Sequence, residues 1–231
     1  MKTYSCVFID LDHTLWDYET NAEETLKDLY VRYRLEEKGV TSLGFFLKNF
    51  QRINRDLWDR CDRGLIGQDV IRTERFDRVF TDSGVEDLRA AWEFSRDYLR
   101  ELSLKKNLLP QAREVLEYLH TRYPITVVTN GFDEVQSVKI ASAGIGRYFR
   151  NVVTSQRAGS KKPSPKIFEF ALREAGHEPD SAIMIGDNLQ TDIAGATAAG
   201  IDSIYYNPGR DPHSSTVTRE IASLSELRDL L

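Results

Sequence analysis

Apolar positions along the chain follow two rhythms. Between about residues 17 and 104 they recur at helical spacing, as in Leu26, Leu29, Tyr30 and Tyr33, and again in Phe46, Leu47, Phe50, Ile53, Leu57 and Trp58. Breaks near Gly39-Val40-Thr41-Ser42, Arg63-Gly64-Leu65-Ile66-Gly67 and Asp82-Ser83-Gly84 divide this stretch, so it predicts four helices packed as a bundle. From Pro110 onward short apolar runs alternate with helical segments. The runs Ile125–Thr129, Val152–Ser155, Ala182–Ile185 and Ser203–Tyr206 predict strands, with helices near 110–122, 134–143, 165–175 and 189–199. Such alternation is the mark of a parallel sheet with helices on both faces. Residues 208–216, rich in Pro, Gly, Asp and Ser, predict a surface loop before a short final helix.

The run Cys6–Ile9 reads as one more buried strand with no partner in the helical stretch, so it joins the later sheet. The expected architecture is α/β. A Rossmann-like parallel sheet core (residues 1–16 and 105–231) carries an inserted helical-bundle cap domain (residues 17–104), with a cleft between the two lobes.

In a parallel sheet, ligands bind beyond the carboxyl ends of the strands, so the residues just after each run carry the candidate chemistry. The first strand ends in Asp10 and Asp12, two like charges that need a cation or a hydrogen-bond network to be tolerated there. The second runs into Thr129-Asn130-Gly131. The third leads to Ser160-Lys161-Lys162-Pro163, and the fourth ends in Gly186-Asp187 with Asp192 five residues on. Each segment alone is an ordinary turn, loop or helix cap. Four in order, each carrying a complementary part, compose a set for phosphoryl transfer. A carboxylate can attack phosphorus, and a second can move the proton of the leaving oxygen. Mg²⁺ on hard oxygens offsets anionic repulsion. Thr129 and the backbone N–H groups of Asn130 and Gly131 can hold phosphate oxygens, and a lysine stabilises transferring charge. Ser164-Pro165 predicts an N-cap and first helical position, which would set Lys162 beside a positive helix terminus.

Composition narrows the partners. An apolar share of 41% supports a hydrophobic core, and a net charge of −5 with no basic block argues against nucleic acid. No apolar stretch nears the roughly 20 residues of a membrane span, and the N-terminus lacks a signal-peptide layout. Two cysteines, Cys6 and Cys61, suggest no disulfide framework and point to a cytoplasmic location. The four histidines form no zinc-ligand spacing.

These motifs closely resemble the haloacid dehalogenase superfamily, in its phosphatase form with a helical cap after the first strand. Asp10-Leu11-Asp12-His13-Thr14 is similar to its first motif, Thr129 to its second, Lys162 with Pro163 to its third, and Gly186-Asp187 through Asp192 to its fourth. The resemblance implies Asp10 as nucleophile and Asp12 as general acid/base, with Lys162 as the transition-state cation that also contacts phosphate. It further implies Mg²⁺ held by Asp10, Asp187 and the backbone carbonyl of Asp12. Asp192 would orient the metal shell or Lys162, with Thr14 also supporting the site. Lys161 is a weaker candidate, because Lys162 directly precedes the proline.

Asp12 also separates reactions. Dehalogenases lack a second acid there, since halide leaves without a proton, whereas phosphoryl mutases share it. A narrower likeness joins Thr129-Asn130-Gly131-Phe132 and Gln136 with Leu57-Trp58 and Gly64 in the cap. It is similar to the YjjG-type pyrimidine 5′-nucleotidases, which release phosphate from uridylate, deoxyuridylate and thymidylate. The expected substrate is therefore a small phosphorylated metabolite, a nucleotide first, with sugar phosphates and phosphoglycolate as alternatives, and the protein a monomer or weak homodimer. A phospho-acceptor signalling module is the reading from another class, disfavoured by the inserted helical lobe and by an acceptor on the first strand.

Trp16 near the hinge and Trp58 in a cap helix are expected to pack rather than stack on a base. Tyr18, Tyr30 and Tyr33 are expected in the cap core, and Arg52, Asn54 and Arg60 could face either the cleft or solvent.

Overall fold

The computed structural model describes residues 3–231. The chain divides into two compact units, residues 1–18 with 106–231, and residues 19–105.

The first unit is built on six parallel strands: β1 (Cys6–Ile9), β2 (Ile125–Thr129), β3 (Phe149–Thr154), β4 (Ala182–Gly186), β5 (Asp202–Tyr206) and β6 (Arg219–Ile221). They lie in the order β3-β2-β1-β4-β5-β6. This is the doubly wound order, in which the chain leaves β1 first to one side and then returns to the other. β1, β2 and β4 are buried along their whole length, which is why they read as unbroken apolar runs. One sheet-facing core joins Phe8, Val128, Val153 and Met184 to Ile167, Phe168 and Leu172 of the helix over Pro165–Ala175. Ser164 caps that helix and Pro165 opens it, as the sequence predicts.

β6 is missing from the expected set. It holds three residues, Arg-Glu-Ile, paired Ile204↔Arg219 to Tyr206↔Ile221. An edge strand this short and this charged has no hydrophobic rhythm, and it blunts the open side of the sheet. The segment expected as a helix over 189–199 is a π-turn, Leu189–Ile193, followed by a short α-helix, Ala194–Ala198.

The second unit holds α1 (Tyr18–Arg32), α2 (Leu43–Asp62), α3 (Gln68–Asp82) and α4 (Leu88–Ser103). Ser42 and Asp87 cap α2 and α4 by accepting from the N–H groups of Phe45 (3.2 Å) and Ala90 (3.0 Å). The core is aromatic: Phe76 lies 4.8 Å from Phe94 and 5.0 Å from Tyr98 between ring centroids, and Phe46 lies 5.7 Å from Phe94. Tyr30 is buried in this core, and Tyr33 packs edge-on to Phe94 with its hydroxyl on Asp97. Tyr18 departs from expectation. Although it opens α1, it groups with the α/β unit, its ring 4.9 Å from His13 and 6.3 Å from Trp16. Arg52 pairs with Asp82 at the surface, Arg60 pairs with Asp56, and Asn54 accepts from buried Arg75 at 3.0 Å. No helix among the described residues is long and apolar enough to cross a membrane.

Candidate active site

β1 lies between β2 and β4, so its carboxyl end opens at the point where the sheet's winding reverses. Asp10 comes directly after β1, and its N–H donates to the Ile185 carbonyl of β4 at 3.0 Å. That bond continues the ladder one residue past the strand and fixes the carboxylate at the sheet edge. Asp187 comes directly after β4 in the same way. His13 takes a left-handed conformation (φ 63°), which turns the chain back so that the Thr14 hydroxyl donates to Asp187 at 3.0 Å.

Lys162 is buried and its ammonium is fully engaged. It donates to Asp10 at 2.7 Å, to Asp192 at 2.6 Å and to the Val128 carbonyl at 2.9 Å. The side chain of Asn130 holds the Lys162 backbone from both sides, accepting from its N–H at 2.8 Å and donating to its C=O at 3.0 Å. The Asn130 side chain thus braces the lysine loop, a contact separate from the backbone N–H expected at the phosphate. The π-turn after Asn188 swings Asp192 inward, where its second oxygen accepts from the Asn188 N–H at 3.1 Å. Such wide turns recur where a helix must re-aim a functional side chain. Gly186 makes room for this, since a Cβ there would fall 2.3 Å from an Asp192 oxygen that is already committed to Asn188.

Carboxylate oxygens of Asp10, Asp187 and Asp192 lie within 4.8 Å of one another. Burial pushes the Asp10 carboxyl up to about 7, with Lys162 pulling the other way and Asp192 adding to the rise. Burial and the Asp10 charge push Asp187 up to about 6. Asp192 is also raised, by burial first. Two buried carboxylates, Asp10 and Asp192, share one lysine beside half-buried Asp187, which leaves two negative charges for a cation to balance. Hard oxygen donors with that charge fit a divalent ion such as Mg²⁺.

Asp12 stands apart from this trio. Gln136 and Lys139, both on the helix over Asp133–Ser142, reach it: the Gln136 amide donates at 2.8 Å to one oxygen and the Lys139 ammonium at 2.6 Å to the other. Burial pushes the Asp12 carboxyl up, but Lys139 and Gln136 pull harder and hold it below the usual carboxylate range. Gln136 also donates to the Thr129 hydroxyl at 2.8 Å, and the Gly131 N–H donates to the same oxygen at 3.0 Å. Both contacts use that oxygen as acceptor, which leaves the hydroxyl hydrogen of Thr129 to donate. A Cβ on Gly131 would fall 2.2 Å from the Gln136 amide nitrogen, and these bonds would have to break to admit it. Lys139 lies beneath, 4.3 Å over the ring of Trp16, which is fully buried as the packing reading expects.

Sequence reasoning assigned no role to Gln136 or Lys139. Their signal is present but slight: two polar residues three apart, on a helix whose flanking Val135 and Ile140 are buried.

The profile of the haloacid dehalogenase-like hydrolases matches residues 4–200, and the chain belongs to that family. It is 30% identical to the pyrimidine 5′-nucleotidase PynA of Streptococcus pneumoniae, across 99% of this chain and 95% of that protein. To the pyrimidine 5′-nucleotidase YjjG of Escherichia coli it is 27% identical, across 97% of this chain and 96% of that one. Its fold superposes on magnesium-bound YfnB from Bacillus subtilis with a TM-score of 0.88 at 24% identity, over 99% of both chains. The family resemblance and the narrower nucleotidase likeness thus find their counterparts among known proteins.

Proposed function

We propose that the protein is a Mg²⁺-dependent phosphomonoester hydrolase that acts on pyrimidine nucleoside 5′-monophosphates through an aspartyl-phosphate on Asp10. The observation that carries this reading is the division of two carboxylates two residues apart. Asp10 is given to Lys162 and the acidic trio, while Asp12 is given to Lys139 and Gln136. One is held for attack and the other for proton transfer. Halide displacement has no use for the second, so the pairing favours phosphate esters over haloacids.

In the first step an Asp10 oxygen attacks phosphorus and the bond to the ester oxygen breaks. Asp12, entering this step as its protonated acid, delivers that proton to the ester oxygen, so the leaving group departs as a neutral alcohol. In the second step water attacks phosphorus and Asp12 accepts its proton. The bond to Asp10 breaks, which frees phosphate, restores the Asp10 carboxylate and leaves Asp12 protonated for the next turnover. Lys162 offsets charge on the transferring group, and Thr129 with nearby backbone N–H groups holds its oxygens. Mg²⁺ held by Asp10, Asp187 and the Asp12 carbonyl, with Asp192 supporting, would supply the charge neutralisation that lets an anion attack an anion.

The similarity to PynA and YjjG over nearly the whole chain supports a pyrimidine nucleotide as the leaving-group source. Phosphate release should be measured with Mg²⁺ across uridine, deoxyuridine and thymidine monophosphates, purine nucleotides, sugar phosphates and phosphoglycolate. The expected result is a kcat/KM for the pyrimidine nucleotides about tenfold or more above the others, abolished by EDTA. Equal or greater turnover of a sugar phosphate or phosphoglycolate would overturn the nucleotide assignment. Turnover that survives EDTA would overturn the metal.

A further inference from the structure

Among the four acids at this sheet edge, Asp12 alone has a cation that it does not share. Its partner Lys139 is almost fully buried, yet this lysine lies outside every motif of the phosphoryl-transfer set. We infer that Lys139 is a positioning residue that reserves Asp12 for proton transfer by keeping its carboxylate off the metal that Asp10 and Asp187 would hold with Asp192 in support. The inference rests on the proposed hydrolase activity.

The difficulty it answers is one of chemistry. Mg²⁺ takes any anionic oxygen in reach, and residues two apart in extended backbone lie only about 7 Å apart. An unrestrained Asp12 carboxylate would be drawn toward the same cation as Asp10, and a carboxylate bound to metal cannot exchange protons with an ester oxygen or water. Only its backbone carbonyl can be lent to the ion without that loss. In the structure both Asp12 carboxylate oxygens are engaged, one by the Lys139 ammonium at 2.6 Å and the other by the Gln136 amide at 2.8 Å. The carboxylate trio that can close on one ion leaves Asp12 out.

Lys139 cannot readily let go. Its ammonium lies 4.3 Å from the centre of the Trp16 ring and 5.7 Å from that of Tyr18, and its side chain has almost no contact with water. Gln136 carries the same restraint to Thr129, so one helix face sets the proton-transfer group and the phosphate-holding hydroxyl together. Charge balance agrees. Asp12 with Lys139 is neutral, and the remaining three acids with Lys162 retain the double charge that a divalent ion satisfies.

The test compares wild type with Lys139→Met by two measurements. Calorimetric titration with Mg²⁺ alone should show binding about tenfold tighter in the variant, because Asp12 joins the ion. Turnover of uridine 5′-monophosphate should fall about tenfold or more relative to p-nitrophenyl phosphate, whose phenolate leaves without a proton. Unchanged Mg²⁺ affinity, or equal losses on the two esters, would overturn the inference, since a lysine that merely stabilised the fold would give that result.

Lys139→Arg keeps the charge and should keep wild-type Mg²⁺ affinity; affinity as tight as in Lys139→Met would also count against the inference. Should Lys139→Met fail to fold by circular dichroism, Lys139→Gln is measured in its place with the same expectations. Should the wild type reject the nucleotide, glycerol 2-phosphate serves as the alkyl ester. The substrate assignment can then fail without deciding this question.

Discussion

The two units bury polar groups in opposite ways. In the α/β unit the buried charges gather at one sheet edge, where Asp10, Asp192 and Lys162 are 8%, 0% and 2% exposed, and each is held by a named partner. Burial first, and then the excess of acid over base, raises Asp10 and Asp187 and leaves negative charge for a cation to balance. In the helical unit the one buried charge is Arg75 among the described residues, its guanidinium 4.9 Å from the Tyr98 ring and 5.2 Å from the Phe76 ring. Its Nε and Nη2 have no hydrogen-bond partner among the described residues.

Elsewhere that unit places its charges at the surface in pairs such as Arg63–Asp59 and Arg89–Glu93. Exposed pairs of that kind contribute about 0–1 kcal/mol each. The lesson is that one unit stores electrostatic strain for chemistry while the other is held mainly by aromatic packing. Substitutions should therefore separate activity from stability according to the unit they fall in.

The largest separation is expected from Asp10→Asn. Removal of the proposed nucleophile should lower phosphate release by about 10⁴-fold or more. The melting temperature should hold or rise, because one charge leaves a crowded acidic cluster. Steady-state assays beside thermal melts read both, and substantial turnover by purified Asp10→Asn would sink the assigned mechanism.

Phe76→Ala is the converse. Phe76 is 1% exposed and touches three aromatic rings, so its loss should cost about 3–5 kcal/mol in urea denaturation. Turnover of p-nitrophenyl phosphate per folded molecule should change far less than in Asp10→Asn. A loss of turnover with unchanged stability would reverse the contrast between the units.

The smallest effect is electrostatic. An ordinary Asp releases its proton near pH 3.8, whereas Asp10 and Asp187 in the metal-free fold hold theirs up to about 7 and 6. Between those limits the native state binds more protons than the unfolded chain, so these groups make stability fall as pH rises. Metal-free wild type should thus lose stability between about pH 4 and 7 relative to Asp10→Asn. Saturating Mg²⁺ favours the ionised carboxylates, and should restore about 2.7 kcal/mol at a hundredfold excess over its Kd near pH 7.5, and less at pH 5. Thermal melts in EDTA and in Mg²⁺ across this range measure it. A metal-free wild type whose pH profile parallels that of Asp10→Asn would show that the acidic cluster is not strained.

Much of this was legible in the residues. Apolar runs long enough to be buried on both faces marked β1, β2 and β4, and helical spacing marked α1 to α4. Because a parallel sheet puts all its carboxyl ends on one edge, Asp10, Thr129, Lys162 and Asp187 could be grouped before any distance was known. β6 escaped because three residues with two charges carry no rhythm. Tyr18 misled because it obeys the spacing of α1 while its ring packs on His13 beside the site. That the Asn130 side chain braces the lysine loop was not legible, because its partner Lys162 lies 32 positions away.

What the sequence determined by itself is the set of candidate parts: two acids after the first strand, a hydroxyl, a lysine and two further acids, each at or beyond the end of a strand. Local chain chemistry suffices for that, since strand, turn and cap preferences act over a few residues. The tertiary structure decided which carboxylate keeps which cation. Asp10 and Asp12 are nearly alike as sequence, but a lysine 152 positions from Asp10 and another 127 positions from Asp12 give them different charges, orientations and tasks. Coulombic and hydrogen-bond interactions depend on distance through space, and only the folded sheet sets those distances.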